Sequence, residues 1–312
     1  MSHASIDETL SGVLAVDKAA GMTSHDVVGL VRRAFKPVKI KVGHAGTLDP
    51  DATGLLLVCI GGATRVADLL ADQGKVYRTE FVLGAATSTE DSSGAIVSET
   101  SAASVTEREV SGVLETMVGH VDQIPPMVSA VHHEGRRLYE LARQGIEVER
   151  APRRIRIDRI ELARFEPGER ATGEMVVECG KGAYVRTLCA DLGARLAVGG
   201  HMSALRRLRI GAFDLAGALP VGELSCESVI AHLVAPSEAA SFLPRRIVDA
   251  GEAGEIAHGR AIAAGDIQGA DHPSHWIRVV SAGGELLALA TRGETGAVLQ
   301  PKKVLVKLPA AL

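Results

Sequence analysis

The chain has 312 residues, of which 46% are hydrophobic and 23% charged, which is enough for one large domain and a small one and too apolar for global disorder. A net charge of −4, taken alone, argues against a nucleic-acid partner, although the distribution of charge decides binding rather than its sum. Cys59, Cys179, Cys189 and Cys226 show no CxxC spacing, which argues against zinc and against a disulfide framework and fits buried, reduced thiols of a cytosolic protein.

The amino terminus, MSHASIDETL, lacks the basic-then-apolar order of a signal peptide. No apolar run reaches the ~18 residues of a membrane span. Residues 11–17, SGVLAVD, read as a short buried strand. After the turn KAAGMTS, Thr23 or Ser24 caps a helix with Val27, Val28, Leu30, Val31 and Phe35 on one face. Pro37 ends it. The segment RRAFKPVKIKVGH carries Arg32, Arg33, Lys36, Lys39 and Lys41 and no acid. It is either a solvated loop or a phosphate-contacting patch.

LLLVCIGG at 55–62 reads as a buried strand, and ATRVADLLADQG as a short helix. VYRTEFVLGA alternates, with Tyr77, Thr79, Phe81 and Leu83 on one face and Val76, Arg78, Glu80 and Val82 on the other. TSTEDSSGA is a polar loop. Thr106 and Glu109 form a capping box for a helix with Val110, Val113, Leu114 and Met117 apolar. Residues 132–160 are rich in arginine, and Gly145 ends a helix beginning near Arg136. RIRIDRIELARF and EMVVEC read as neighbouring antiparallel strands, and TLCADLGARLAVGG as a helix closed by glycines. After about residue 222 acids outnumber bases. The tail from Trp276 is short strands separated by glycine turns, as in a small β-barrel, with the boundary between about 235 and 245.

One stretch concentrates the chemistry: GHAGTLDPDATGLLLV at 43–58. As a calcium loop it matches at Asp49, Asp51, Thr53 and Gly54, but the final bidentate ligand position falls on Ile60. As a phosphate loop it lacks both the GxxxxGK[ST] and the GxGxxG pattern. Two readings remain open on spacing alone. Either the stretch presents a catalytic acid, stiffened by Pro50 and anchored by the strand that follows, or Asp49 merely caps a turn before proline.

The same stretch resembles the signature of the pseudouridine synthases that act on the T-loop of transfer RNA, the TruB family. Other blocks follow in that family's order: GVLAVDKAAGMTSHDVV, KVYRTEFVLGAATSTEDSSG, IPPMVSAVHHEGRRLYELARQGIEVE, GKGAYVRTLCADLG and LRRLRIGAF. The resemblance runs from about residue 11 to about 215. HGRAI, GELLALA and LQPKKVLV resemble a PUA-type RNA-binding barrel. The resemblance implies an α+β fold with a mixed, largely antiparallel sheet flanked by helices. It implies a catalytic domain over 1–240 and a PUA-like domain over 241–312.

It also implies an activity and its residues. The reaction isomerises uridine to pseudouridine at position 55 of transfer RNA, and an isomerisation requires no cofactor and no metal. Asp49 matches the catalytic aspartate, acting at the sugar C1′ or as a base at the ribose 2′ position. Arg186 matches the arginine that pairs with it. Tyr77 matches the tyrosine that stacks on the flipped base, and Tyr184 and Leu205 match residues lining the uracil pocket. His44 matches a histidine that fills the space left by flipping. Lys18 matches a lysine that braces the pocket. Asp51 carries no role, and His132 and His133 stand where lysine is frequent. The implied protein is a cytoplasmic monomer with transfer RNA as its partner, no membrane and no obligatory protein partner. A guide-RNA-dependent, dyskerin-like synthase and an RNA-folding chaperone with secondary catalysis are the alternatives. The intact block from Ile124 to Glu149 resembles the stand-alone branch.

Overall fold

A computed structural model describes residues 10–129, 131–133 and 135–306. The first nine residues, read above as no signal peptide, lie outside them, as do Ala130 and Glu134 of the central block and the last six residues of the tail. In chain order the elements begin with strand β1 (Gly12–Lys18), helix α1 (Ser24–Ala34), β2 (Val42–Ala45), β3 (Thr53–Ile60) and α2 (Ala67–Ala71). Next come β4 (Lys75–Leu83), β5 (Ala85–Thr87), β6 (Ile96–Glu99), α3 (Glu107–Thr116) and β7 (Gly119–Gln123). The hairpin β8 (His132–His133) and β9 (Arg136–Arg137) precedes α4 (Leu138–Arg143), β10 (Arg153–Glu166) and β11 (Thr172–Cys179). Then follow α5 (Val185–Arg195), β12 (Gly200–Ile210), β13 (Phe213–Asp214), β14 (Leu219–Pro220), α6 (Cys226–Ala231) and α7 (Pro236–Ala239). The last elements are β15 (Arg245–Val248), α8 (Ala250–Ala257), β16 (Ile262–Ala263), β17 (Trp276–Ser281), β18 (Leu286–Arg292) and β19 (Val298–Val304).

The chain forms two compact units: Met1–Pro50, Leu55–Ala71 and Leu215–Leu312 in the first, Asp51–Gly54 and Asp72–Asp214 in the second. In the first unit β1 lies between β3 and a short parallel β14, and β2 runs antiparallel to β3 with His44 opposite Val58. Thr23 caps α1, its hydroxyl accepting from the Asp26 N–H while the Asp26 carboxylate accepts from the Thr23 N–H. The helical period then delivers Val27, Val28, Val31 and Phe35 to a core shared with Leu14, Val16, Leu56, Val58 and Ile60.

The carboxy-terminal part of this unit is a five-stranded sheet in the order β15-β17-β18-β19-β16. Its core includes Ile277, Val279, Ala288, Ala290 and Leu299, with Ile256 of α8 packed in. Lys303 of β19 is 3.1 Å from the Asp68 carboxylate of α2, and Arg65 donates to the Val304 carbonyl.

The second unit holds the strand order β12-β4-β11-β10-β7, antiparallel throughout. Along β4 the expected alternation holds: Tyr77, Thr79, Phe81 and Leu83 are buried, and Arg78 and Glu80 are exposed. Helix α5 packs on β12 and β4, and α3, opened by the Thr106–Glu109 box, packs on β10 and α5. On the strands, arginines sit two residues from acids and pair with them: Arg156 with Asp158 at 2.8 Å, Arg159 with Glu161 at 2.6 Å, Arg164 with Glu166 at 3.0 Å. Residues i and i+2 of a strand share a face, which is why the sequence pattern produces these pairs.

The structure departs from the sequence reading in several places. Residues 63–74 do not form one helix; a 3-10 turn over 61–65 precedes the five-residue α2. The helix expected from near Arg136 begins at Leu138, because Arg136 and Arg137 form a strand of the β8–β9 hairpin; Gly145, at φ 70°, follows its end. Val42–Ala45 is a strand although its four residues show no alternation, since β3 alongside supplies its ladder. The polar loop after Thr87 is the tip of a hairpin, β5 with β6.

Gly54 has φ 98°, and a Cβ there would lie 2.3 Å from the Arg207 carbonyl oxygen. Gly54→Ala is therefore expected to destabilise the protein by about 3 kcal/mol or more in urea unfolding. Gly217→Ala, with open space around it, is expected to stay within about 0.5 kcal/mol.

Burial pushes the thiols of Cys59, Cys179 and Cys189 up to about 12, whereas Cys226 is only partly buried. A thiol reagent at pH 8 is expected to modify Cys226 alone in the native protein and all four cysteines after unfolding. Rapid native labelling of Cys59, Cys179 or Cys189, followed by mass spectrometry, would contradict this burial.

Candidate active site

In the first unit the chain on both sides of Asp49 is pinned. Because Thr23 takes the cap of α1, Ser24 is left to face inward; it is buried. Its hydroxyl accepts from the Leu48 N–H at 2.9 Å and lies 3.3 Å from the Leu48 carbonyl. On the other side, the Pro50 carbonyl accepts from the Lys18 ammonium at 2.9 Å and from the Gly21 N–H at 3.0 Å. Lys18 is 0% exposed and also donates to the carbonyls of Ala19 at 2.9 Å and Met22 at 2.8 Å. The aspartate between them is half-buried, and Asp51 is exposed. His44 is half-buried on β2, in the antiparallel ladder with β3.

In the second unit Tyr77, 8% exposed, lies on β4 between Val177 of β11 and Arg207 of β12. Leu205 of β12 is half-buried opposite Thr79 of β4. Its carbonyl lies 3.4 Å from the Thr53 hydroxyl. Tyr184 and Arg186 stand at the start of α5. Buried Gln123 of β7 holds the Tyr184 backbone on both sides, accepting from its N–H at 2.8 Å and donating to its carbonyl at 3.0 Å.

Arg186 is 4% exposed. Its guanidinium donates to the carbonyls of Val128 at 2.7 Å and Thr89 at 3.2 Å and stands 3.6 Å from the Asp91 carboxylate. Asp91 is itself locked, accepting from the hydroxyls of Thr89 and Ser93 and the Ser93 N–H. A buried guanidinium held by fixed oxygens is a rigid electrostatic element rather than a mobile surface charge.

The structure thus builds two groups of the expected residues: Lys18, His44 and Asp49 in the first unit, Tyr77, Tyr184, Arg186 and Leu205 in the second. The sequence reading missed Ser24, Gly21, Gln123, Thr89 and Asp91 as supporting residues. Polar or small and scattered through turns and the ends of a helix and a strand, they show no periodicity, and only their contacts reveal them. Among the described residues no three His, Cys, Asp or Glu side chains are placed to hold a metal ion. Among the same residues no helix is long and apolar enough to cross a membrane.

Comparison with known proteins bears on what this arrangement serves. Residues 32–185 match the family model described as TruB family pseudouridylate synthase (N terminal domain). Residues 186–241 match that of the tRNA pseudouridylate synthase B C-terminal domain. A protein of Symbiobacterium thermophilum named tRNA pseudouridine synthase B is 48% identical over 252 residues, covering 81% of this chain and 83% of its own. One of the same name from Mycobacterium sp. (strain KMS) is 41% identical over 305 residues, covering 96% and 97%. Among solved structures, a Cbf5-Nop10-Gar1 complex contains a chain similar at a TM-score of 0.74 and 25% identity, over 96% of this chain and 86% of that one. The archaeal box H/ACA Nop10-Cbf5 complex, at a TM-score of 0.72 and 23% identity over 95% and 86%, shares the fold. With identity of this level over nearly its whole length, the chain belongs to the TruB family of pseudouridylate synthases.

Proposed function

We propose that the chain isomerises uridine to pseudouridine at position 55, in the T-loop of transfer RNA, with Asp49 as the catalytic carboxylate. The observation that carries this reading is the double anchoring of the chain around Asp49, by Ser24 at Leu48 and by Lys18 and Gly21 at Pro50. An aspartate that merely caps a turn needs no such support, whereas one that must meet a sugar carbon or its proton does. The names of the relatives, each a tRNA pseudouridine synthase B, support the substrate.

The reaction breaks the bond between N1 of uracil and C1′, turns the base, and joins C5 to C1′. C5 loses a proton and N1 gains one, so the atoms balance without a cofactor. Asp49 either attacks C1′ or takes the 2′ proton, and Arg186 supplies the cation for it. A uridine inside folded RNA must be flipped out and its face held. Tyr77 stacks on that base and assists proton loss from C5. Tyr184 and Leu205 line the uracil pocket, His44 fills the vacated space, and Lys18 braces the loop.

Residues 1–240 form the catalytic domain in this reading. Residues 241–312 form a PUA-like auxiliary grip, and the protein acts as a monomer in the cytoplasm. The likeness to Cbf5 favours a second reading, a guide-dependent synthase. The two separate on naked transfer RNA: a stand-alone enzyme turns over without guide or partner.

Asp49→Asn is expected to abolish turnover while RNA binding stays within a few-fold, because the carboxylate does chemistry and phosphate contacts carry affinity. Pseudouridine mapping in transfer RNA incubated with the purified proteins reads both the site and the loss. Substantial product from the Asn variant would overturn the assignment of Asp49.

RNA binding is also expected to weaken as salt rises. Arg32, Arg33, Lys36, Lys39 and Lys41 are all exposed, whereas several strand arginines already hold acids. A handful of phosphate contacts gives a log–log slope of roughly −3 to −5, and neutralising Arg32 and Arg33 together flattens it by about one to two. Anisotropy titrations across salt concentrations measure the slope, and one near zero would leave the basic segment as solvated surface only.

A further inference from the structure

Glu90 sits at the tip of the β5–β6 hairpin with φ 63°, in the left-handed region. A residue with a side chain stays there only where its surroundings hold it, and such strain gathers at functional sites. The surroundings here are specific. The Glu90 N–H donates to the Thr87 carbonyl at 3.2 Å. Its own carbonyl accepts from the Met202 N–H of β12 at 3.0 Å, and the Ser92 N–H returns to the Met202 carbonyl at 3.0 Å. The hairpin tip is thereby fastened to β12.

From that base the tip reaches α5 with three successive residues. Thr89 and Asp91 meet the Arg186 guanidinium, and between them the Glu90 carboxylate accepts from the hydroxyl of buried Thr187 at 2.5 Å. Helix α5 has no acid in its first turn, and the Tyr184 side chain at its cap makes no capping hydrogen bond. Glu90 therefore supplies, from another element, the anion that a helix start favours. Burial raises the Glu90 carboxyl, while Thr187, Arg186 and Arg150 act to keep it ionised and Asp191 opposes them.

We propose that Glu90 is a positioning residue for the reaction: by holding Thr187 it locks the hairpin tip to the first turn of α5 and so fixes the direction of the Arg186 guanidinium. This rests on the reading of Arg186 as the active-site cation. The left-handed backbone turns both carboxylates, of Glu90 and Asp91, toward α5. An unconstrained tip would carry the Thr89 carbonyl and Asp91 away from Arg186.

The test separates position from stability. Glycine suits φ 63° but lacks the carboxylate, so Glu90→Gly is expected to melt within about 3 °C of the parent. Its kcat on transfer RNA is expected to fall about tenfold, with KM within about twofold. Glu90→Gln, which keeps an acceptor for Thr187, is expected to recover kcat to within about threefold of the parent. If Glu90→Gly melts much lower, Thr187→Val removes the other end of the same bond, and the same split between kcat and KM decides.

In single turnover, Glu90→Gly is expected to add no further loss to Arg186→Lys, because it acts through that arginine. A kcat for Glu90→Gly within about twofold of the parent, a loss confined to KM, no recovery with Gln, or an additive loss on the Arg186→Lys background would each overturn the proposal. Full activity of Arg186→Lys alone would instead overturn the reading of Arg186, so the two failures are distinguishable.

Discussion

Lys18 carries a full positive charge with none of its surface in water. Desolvating an ammonium ion costs several kcal/mol unless oxygens replace the lost water. The replacements are main-chain carbonyls of Ala19, Met22 and Pro50, two from the turn after β1 and one from the segment that bears Asp49. The charge is therefore worth keeping only while those segments stay together. That makes Lys18 a conditional weld: if either segment moves, the buried cation loses acceptors at a cost larger than one ordinary hydrogen bond. The positions of Pro50 and of the turn after β1 follow from satisfying it, while Ser24 at the start of α1 holds Leu48.

The second unit solves a similar problem with the opposite arrangement. Arg186 is a buried cation at a helix start, and its acceptors come from two loops rather than from its own helix. Gln123 sets where α5 begins by holding the Tyr184 backbone, and the hairpin tip sets which way its first turn faces. In both units the candidate side chains are few. Most of the surrounding polar structure exists to remove freedom from the backbone that carries them, a cost in conformational entropy met once, on folding.

How much of this was legible in the sequence depended on the range of the interaction. The period of Val27, Val28, Val31 and Phe35, the alternation along β4 and the capping boxes at Thr23 and Thr106 are local, and each appears where the pattern puts it. The strand at Val42–Ala45 was not legible, because its ladder is supplied by β3, and the helix near Arg136 started late because a hairpin claimed its first residues. Asp49 and Arg186 could be picked out only by resemblance, since spacing alone left Asp49 as a possible turn cap. Ser24, Gln123, Asp91 and Glu90 were invisible as supports: each acts on a residue 24 to 97 positions away, a distance no periodicity encodes. The arginine count of 132–160 does not tell which of these side chains hold acids. Two of them, Arg156 and Arg159, pair with acids two positions along the same strand, whereas Arg153 and Arg154 stay exposed, as does the cluster at 32–41.

Strand β1 shows what a chain must do with such an apolar segment. It is buried over nearly all its length and lies next to β3, so its other side would present a row of unpaired N–H and C=O groups. An open hydrophobic edge of this kind is a template on which another copy can add a strand. Here it is covered by β14, a two-residue parallel strand that sets Leu219 beside Val16 and Pro220 beside Asp17, and by one antiparallel bridge from Val13 to Val234. The proline has no N–H to offer a further strand, and a two-residue ladder is too short to register one. The polypeptide that returns after residue 214 thus serves as a stopper as well as a connection, and a chain truncated before it would expose an edge primed for aggregation.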